Sequence, residues 1–558
     1  MPSIVRAMRL RVIAVVVVAG LLVAACSDDE SDPTARSGSV SESGPKATTT
    51  EPDAACGLSE PEVPVVEPVD GVDGDFTLTS FDGTRLRIHW YPAHDVDGPA
   101  PTLLEGPGWG LSGATDTGGS GLFGDLAVGS LRDAGYNVLT WDPRGFGEST
   151  GTITVNDPEH EGRDVQRLID WVATQPEVEL DTAGDPRVGM LGGSYGGGIA
   201  LVTAAIDCRV DAIVPTIAWH SLRTSLYRGE ISKEGWGGLL YEAANGRDLD
   251  PHIESSHESM LERGTISDDD VEWFESRGPG AELISRITAP TLLIQGTVDT
   301  LFTPDEAIIN YEMLRDAGVP VSMLWYCGGH GVCLSEPGDV TWTGAWTMHW
   351  FDRYLRGNDD APVPPRFGFV DQHGELWAID EFPEPASELI GTGSGTLDLV
   401  AAGGAGPAAA PTSGGGVIGG LALEFTPGRA ANAVEVTISA SNDGFVVGAP
   451  TLAFTYAGTV EDGDRPTRVF AQLVDDSNDV VLGNQITPIV VELDGAEHSV
   501  EVPLESVAHR LAAGDTITLQ LVATTTAYAQ PRLGGSIDFR SIDVTLPLVG
   551  GAVALTAA

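Results

Sequence analysis

The sequence predicts an α/β fold: a mostly parallel sheet interrupted by an inserted helical cap, followed by a C-terminal all-β sandwich of jelly-roll type. Three observations carry this. From about Asp75, short β-branched runs alternate with helical stretches, as in a sheet with crossover helices. Between Trp219 and Ile287 that rhythm breaks, and it resumes cleanly at Ala289. Beyond Pro362, helical periodicity gives way to short alternating runs rich in Val, Thr, Gly and Ala. The 558 residues also exceed the roughly 250–300 at which a single core stops growing, so two or three domains are expected.

Each element has its own warrant. "FTLTSFDGTRLRIHWYPA" reads as a hairpin turning at Asp82-Gly83. "APTLLEGPGWG" and "YNVLTWDPRGFGEST" are apolar strands running into glycine-rich loops. "GRDVQRLIDWVATQP" places Val165, Leu168, Ile169 and Val172 at helical spacing. "VGMLGGSYGGGIALVTAAI" is a strand, a glycine turn and a helix; "VDAIVPTIAW", "APTLLIQGTVDT" and "VSMLWYCGGH" complete a set of buried parallel strands. The boundaries that follow are 61–218 and 288–360 for the core, 219–287 for the cap and 361–558 for the β-sandwich.

The first 25 residues read as an export signal. Arg6, Arg9 and Arg11 precede the apolar run Val12–Val23, which is too short for a spanning helix of about 20 residues. The run closes with Val23-Ala24-Ala25-Cys26, which resembles the bacterial lipobox. By that resemblance Cys26 is lipidated and anchors the chain to the outer face of the cytoplasmic membrane. The alternative is an ordinary signal peptide with an incidental cysteine. Residues 26–60 are polar and read as a flexible tether. Four further cysteines, Cys56, Cys208, Cys327 and Cys333, suggest disulfides in an exported chain, with free buried thiols as the alternative. Cys327 and Cys333 bracket "GGHGV" and form the first candidate pair, which leaves Cys56 with Cys208.

A net charge of −51 argues against nucleic acid or an anionic lipid surface as partner, since both would be repelled. The acidity reads as a solvated surface, and contact with the membrane is expected through the lipid anchor alone. Oligomeric state is not readable. No His/Cys/carboxylate set has metal-ligand spacing, and no cofactor motif occurs, so neither a metal nor a cofactor is expected.

The chemistry lies in "LGGSYGGG". Gly192-Gly193-Ser194-Tyr195-Gly196 fits G-x-S-x-G between an apolar strand and a helix, where a tight turn projects the serine hydroxyl from the sheet's edge. A serine needs a base within hydrogen-bond reach to act as a nucleophile. Of 11 histidines, His330 follows a core strand and reaches the carboxyl edge, whereas His349 sits mid-helix among Trp346, Met348 and Trp350 and reads as packed. Asp299 follows the strand "LLIQG" and orients the base; Asp305 opens a helix, and Asp142 anchors its own loop. Oxyanion donors are expected from the Tyr195 N–H and from the "GPGWG" loop, at Gly108, Trp109 or Gly110. Trp109, Trp219, Phe302 and Trp325 are candidates for an apolar pocket or simply for core.

"DPRGFGES", "RLIDWVATQP", "VGMLGGSYGG", "RITAPTLLIQGTVDTLF" and "HWFDRYLRG" resemble the Xaa-Pro dipeptidyl-peptidase and cocaine esterase family of serine hydrolases, over roughly Asp75–Gly357. The resemblance implies an α/β-hydrolase core with Ser194, Asp299 and His330 as triad, a helical cap and a jelly-roll domain. It also implies cleavage of an ester, an amide or an Xaa-Pro dipeptide bond in a small-molecule or peptide substrate. Where many members carry an oxyanion tyrosine, this chain has Trp109. Two rival functions stay open: a binding lipoprotein that works through its β-sandwich, and an acyltransferase using the same triad.

Overall fold

The computed structural model describes residues 63–118, 126–383, 385–409 and 421–555. The export signal, Cys26, the tether and Cys56 lie outside the described residues. Among the described residues, no helix is long and apolar enough to cross a membrane.

Twelve strands form one sheet. In chain order they include β1 (Val66–Pro68), β2 (Asp75–Thr79), β3 (Arg85–Tyr91), β4 (Thr102–Gly106), β5 (Asn137–Trp141), β6 (Val188–Gly193) and β7 (Val210–Thr216). β8 (Thr291–Gly296), β9 (Val321–Tyr326), β10 (Phe367–Val370) and β11 (Leu376–Ile379) follow, and Val553–Ala554 pairs with β11 at the far edge. The spatial order is β1-β2-β3-β5-β4-β6-β7-β8-β9-β10-β11. From β5 to β10 every neighbouring pair is parallel. The β2–β3 hairpin turns at Asp82-Gly83, where the Asp82 carboxylate accepts the Thr84 N–H at 3.0 Å.

The helices are α1 (Val128–Asp133), α2 (Glu161–Val172), α3 (Tyr195–Ile206), α4 (Leu222–Leu226), α5 (Glu234–Ala243), α6 (Pro251–Arg263), α7 (Asp268–Glu275), α8 (Gly280–Ile284), α9 (Pro304–Asp316) and α10 (Thr341–Tyr354). Alternation along each strand sends neighbours to opposite faces. Leu104, Leu139 and Met190 thus pack with Leu168 and Ile169 of α2 and Leu201 of α3. Leu103, Val138 and Leu292 pack with Leu131 of α1 and Trp350 and Phe351 of α10. Burial on both faces is why β5 and β8 show no regular polar alternation; even their Asn137, Thr140, Thr291 and Gln295 are buried. Helices α4 to α8 occupy the stretch between β7 and β8 where the strand rhythm lapses.

One sequence boundary moves. The sequence predicts a β-sandwich over 361–558, yet β10, β11 and Val553–Ala554 extend the large sheet. "FGFV" is too short to reveal its partner. It joins β9 because Phe367 packs edge-on to Trp325, both fully buried, which also makes Trp325 core rather than pocket. The rest of the C-terminal region forms two sheets. A six-stranded sheet contains Ser387–Asp398, Thr451–Val460 and Gly535–Val549. A four-stranded sheet has the order Ala433–Ser439, Thr516–Val522, Arg468–Asp475, Val480–Val490. Leu452, Phe454 and Phe539 of the first meet Val436, Val469 and Leu519 of the second in one core.

The four-stranded sheet is buried on its outer face too. Phe470, Ile486 and Val522 pack there with Ile231 and with Ala527–Ala529. Its edge strand carries a wide bulge: Gln472 pairs with Ile486 and Val474 with Val481, so Leu482, Gly483, Asn484 and Gln485 all face the single residue Leu473. Gly483 and Asn484 both have positive φ, 60° and 57°, which turns the bulge out of the sheet.

Candidate active site

Ser194 sits at the turn from β6 into α3, with φ 57° and ψ −116°, a conformation rarely adopted by any residue but glycine. The turn is possible because its neighbours lack side chains. A Cβ on Gly196 would lie 2.0 Å from the Gly106 carbonyl oxygen, and one on Gly192 would lie 2.6 Å from the same atom. The Ser194 N–H donates to the Thr216 carbonyl at 2.9 Å, which ties the strained residue to β7.

The structure brings the three predicted residues together. His330 Nε2 lies 2.8 Å from Ser194 Oγ, and His330 Nδ1 lies 2.7 Å from Asp299 Oδ2. Each follows a strand of the parallel set, so all three emerge at its carboxyl edge: Ser194 after β6, Asp299 after β8, His330 after β9. Asp299 is fully buried. Its Oδ1 accepts the Leu301 and Phe302 N–H groups at 2.9 and 2.8 Å, and its Oδ2 also accepts the His330 N–H at 3.0 Å. With its lone pairs filled this way, the carboxylate has one orientation. Phe302 and Trp236 stand edge-on to the His330 ring, with centroids 5.1 and 5.8 Å away. The Cys327–Cys333 disulfide closes the loop that carries His330. Cys208 is also disulfide-bonded, and its predicted partner Cys56 lies outside the described residues.

The expected oxyanion donors fare differently. Tyr195 opens α3, so its N–H is among the first-turn donors that have no partner within the helix, at the positive end of the helix dipole. Its phenol is buried, receives the Asn156 N–H at 3.2 Å and faces Glu161. The Trp109 indole is committed elsewhere, donating to the Leu240 carbonyl at 2.9 Å, so only backbone N–H groups of the 108–110 turn remain for the role. Asp142 does anchor its loop, accepting the Gly113 and Glu148 N–H groups at 2.8 and 2.7 Å. Asp305 lies in the first turn of α9 and pairs with Arg228. His349 is half-buried in α10 beside Trp346.

Two supporting residues were missed. From the bulge in the β domain, Gln485 Nε2 donates to the Asp299 carbonyl at 2.9 Å, and Asn484 Nδ2 donates to the Val332 carbonyl at 2.8 Å. A Gly-Asn pair inside a strand signals a bulge, but not where the bulge goes. The sequence also showed no metal cluster. Glu492, Asp494 and His498 do bring ligand atoms within 4.8 Å of one another, on exposed β-domain surface.

Helices α4 to α7 roof a cavity over Ser194, lined by Trp109, Tyr195, Trp219 and Phe302 among others. Lys233 in its wall is buried, donates to the Leu301 carbonyl at 2.9 Å, and has its pKa lowered by that burial.

A nucleophile elbow, a carboxylate and a histidine delivered to one edge by three strands of a parallel sheet define an α/β-hydrolase. Residues 82–331 match the family described as X-Pro dipeptidyl-peptidase (S15 family). A Rhodopirellula baltica protein provisionally named Xaa-Pro dipeptidyl-peptidase is 24% identical over 284 residues, 44% of this chain. The chain spans 42% of that relative's length. A CocE/NonD family hydrolase from Staphylococcus aureus superposes with a TM-score of 0.62 at 14% identity, covering 87% of this chain and 96% of the other. An aminopeptidase from a marine sediment archaeon of the Thaumarchaeota gives 0.62 at 11%, covering 90% and 100%. Over residues 82–331 the chain is thus similar to the X-Pro dipeptidyl-peptidase (S15) family, and it shares its fold with the CocE/NonD hydrolase and the aminopeptidase.

Proposed function

We propose that the chain hydrolyses an ester or amide bond through an acyl-enzyme on Ser194. The 2.8 Å contact between His330 Nε2 and Ser194 Oγ carries this reading. Neutral His330 takes the hydroxyl proton while Ser194 Oγ bonds to the substrate's carbonyl carbon. Asp299 holds the ring in the tautomer whose Nε2 can accept, and stabilises the imidazolium that forms. The Tyr195 N–H and a backbone N–H of the 108–110 turn receive the oxyanion. Collapse breaks the bond to the alcohol or amine, which leaves with the proton from His330. Water, deprotonated by the same ring, then releases the acid and restores Ser194. Cleavage of an Xaa-Pro dipeptide is the amide case of this scheme, and the relatives' names supply its support.

The reading includes export, lipidation at Cys26 and attachment to the outer face of the cytoplasmic membrane, on the strength of the lipobox-like sequence. The two-sheet C-terminal region serves as the jelly-roll domain and walls the site.

A fluorophosphonate probe tests the chemistry. It should label the wild type and not Ser194→Ala, whose ester hydrolysis should fall by roughly 10³-fold or more. Equal labelling of both would overturn the proposal. Membrane fractionation tests the location: Cys26→Ser should move the protein to the soluble fraction, and a wild type already soluble refutes the anchor.

A further inference from the structure

The cavity over Ser194 also bears on what the acyl group can be. Leu222 and Leu226 of α4, Leu240 of α5, Ile253 and Met260 of α6 and Phe274 of α7 give it an apolar wall on the side away from the sheet. Among its described lining residues there is no aspartate or glutamate. The basic side chains that line it are Arg223, which is exposed and pairs with Glu275, buried Lys233 and His257.

Three buried carboxylates behind these walls are already filled by protein donors, while Glu242, Glu254 and Glu258 lie near Tyr241 without entering the lining. Glu306 accepts the His220 and Ser221 N–H groups at 2.8 and 2.9 Å and the Thr224 hydroxyl at 2.7 Å. Glu161 accepts the Thr154 and Asp157 N–H groups at 2.8 and 3.1 Å, and the Thr154 hydroxyl as well. Asp270 accepts the Ser255 and Ser267 hydroxyls at 2.7 and 2.6 Å. An ammonium group brought beside Ser194 would lose its water and find a lysine but no carboxylate in the cavity lining. Burying a charge under those terms is strongly unfavourable. A hydrocarbon or aryl group would instead gain from leaving water.

We infer that the acyl half of the substrate is an uncharged, apolar carboxylic acid, and that acyl groups bearing a free α-ammonium are rejected. This rests on the hydrolase reading above and narrows it, because an Xaa-Pro dipeptidyl substrate presents its free amino terminus on the acyl side.

An isosteric pair of substrates tests it on the intact protein. The p-nitrophenyl esters of 4-methylpentanoic acid and of leucine differ only by the α-amino group, which is largely protonated at about pH 6. After subtraction of spontaneous hydrolysis, kcat/KM should favour the 4-methylpentanoyl ester by about 100-fold or more. A ratio below that, or a preference for the leucyl ester, overturns the inference. Met260→Glu supplies a counter-charge in the wall and should narrow the ratio at least about tenfold. If that variant does not fold, the wild-type ratio decides alone. Fluorophosphonate labelling of the same preparation separates the two levels. Labelled protein that prefers the leucyl ester sinks the substrate class only, whereas unlabelled and inactive protein sinks the hydrolase reading and this inference with it.

Discussion

Asp299 is held from two sides by two unlike pieces of structure. From the sheet side, it follows β8, and its carboxylate collects the Leu301 and Phe302 N–H groups of the turn beyond and the His330 N–H from the loop after β9. From the other side, a bulge in an edge strand of the C-terminal domain reaches over, and Gln485 grips the Asp299 carbonyl. The first kind of support follows from topology, since successive parallel strands deliver their loops to one rim. The second depends on how two finished domains dock. The comparison teaches that the C-terminal domain is part of the site's scaffold, although none of its residues belongs to the Ser194–His330–Asp299 hydrogen-bonded chain.

Gln485→Ala breaks that comparison most sharply. It removes one donor from behind Asp299 and leaves the relay's own atoms in place. If the β domain positions the carboxylate, kcat for a p-nitrophenyl ester should fall roughly 10- to 100-fold with KM little changed, because small misplacements of catalytic groups are costly. A merely structural role would lower thermal stability and leave kcat of the folded fraction near wild type. Steady-state kinetics beside a melting curve distinguishes the two.

The same contrast explains what the sequence could reveal. Ser194, Asp299 and His330 were legible because each follows an apolar strand, and strand order alone sends them to one edge. Gly192 and Gly196 were legible through the turn they permit, which the 2.0 Å approach of Gly106 to an imagined Gly196 side chain bears out. β10 and β11 were not legible as parts of the large sheet, since four-residue aromatic strands carry no mark of their partner. Nor was the fate of the Trp109 indole, because Leu240 lies 131 residues away in an inserted helix. Gln485 was hidden for the same reason, 186 residues from Asp299 and on another domain.

A smaller effect sharpens the comparison from the energetic side. In the β domain, fully buried Gln520 uses both ends of its amide, accepting the Ala430 N–H at 2.9 Å and donating to Glu435 at 2.8 Å. In β4 of the large sheet, Glu105 Oε2 is buried with no hydrogen-bond partner, and desolvation lifts its pKa from 4.5 to about 7. The folded protein therefore holds this proton more tightly than the unfolded chain. As pH rises from about 4.5 to about 7 the unfolded state gives up the proton first, so Glu105 contributes a loss of stability that grows across that window and is complete above it. Glu105→Gln keeps the shape and abolishes the titration. Relative to wild type it should gain about 3 kcal/mol at pH 8 and nothing at pH 4, read from urea unfolding at both values. An equal gain at both would mean that the substitution acts through packing, and that the lone carboxyl near the rim is no weaker a point than the satisfied amides of the neighbouring domain.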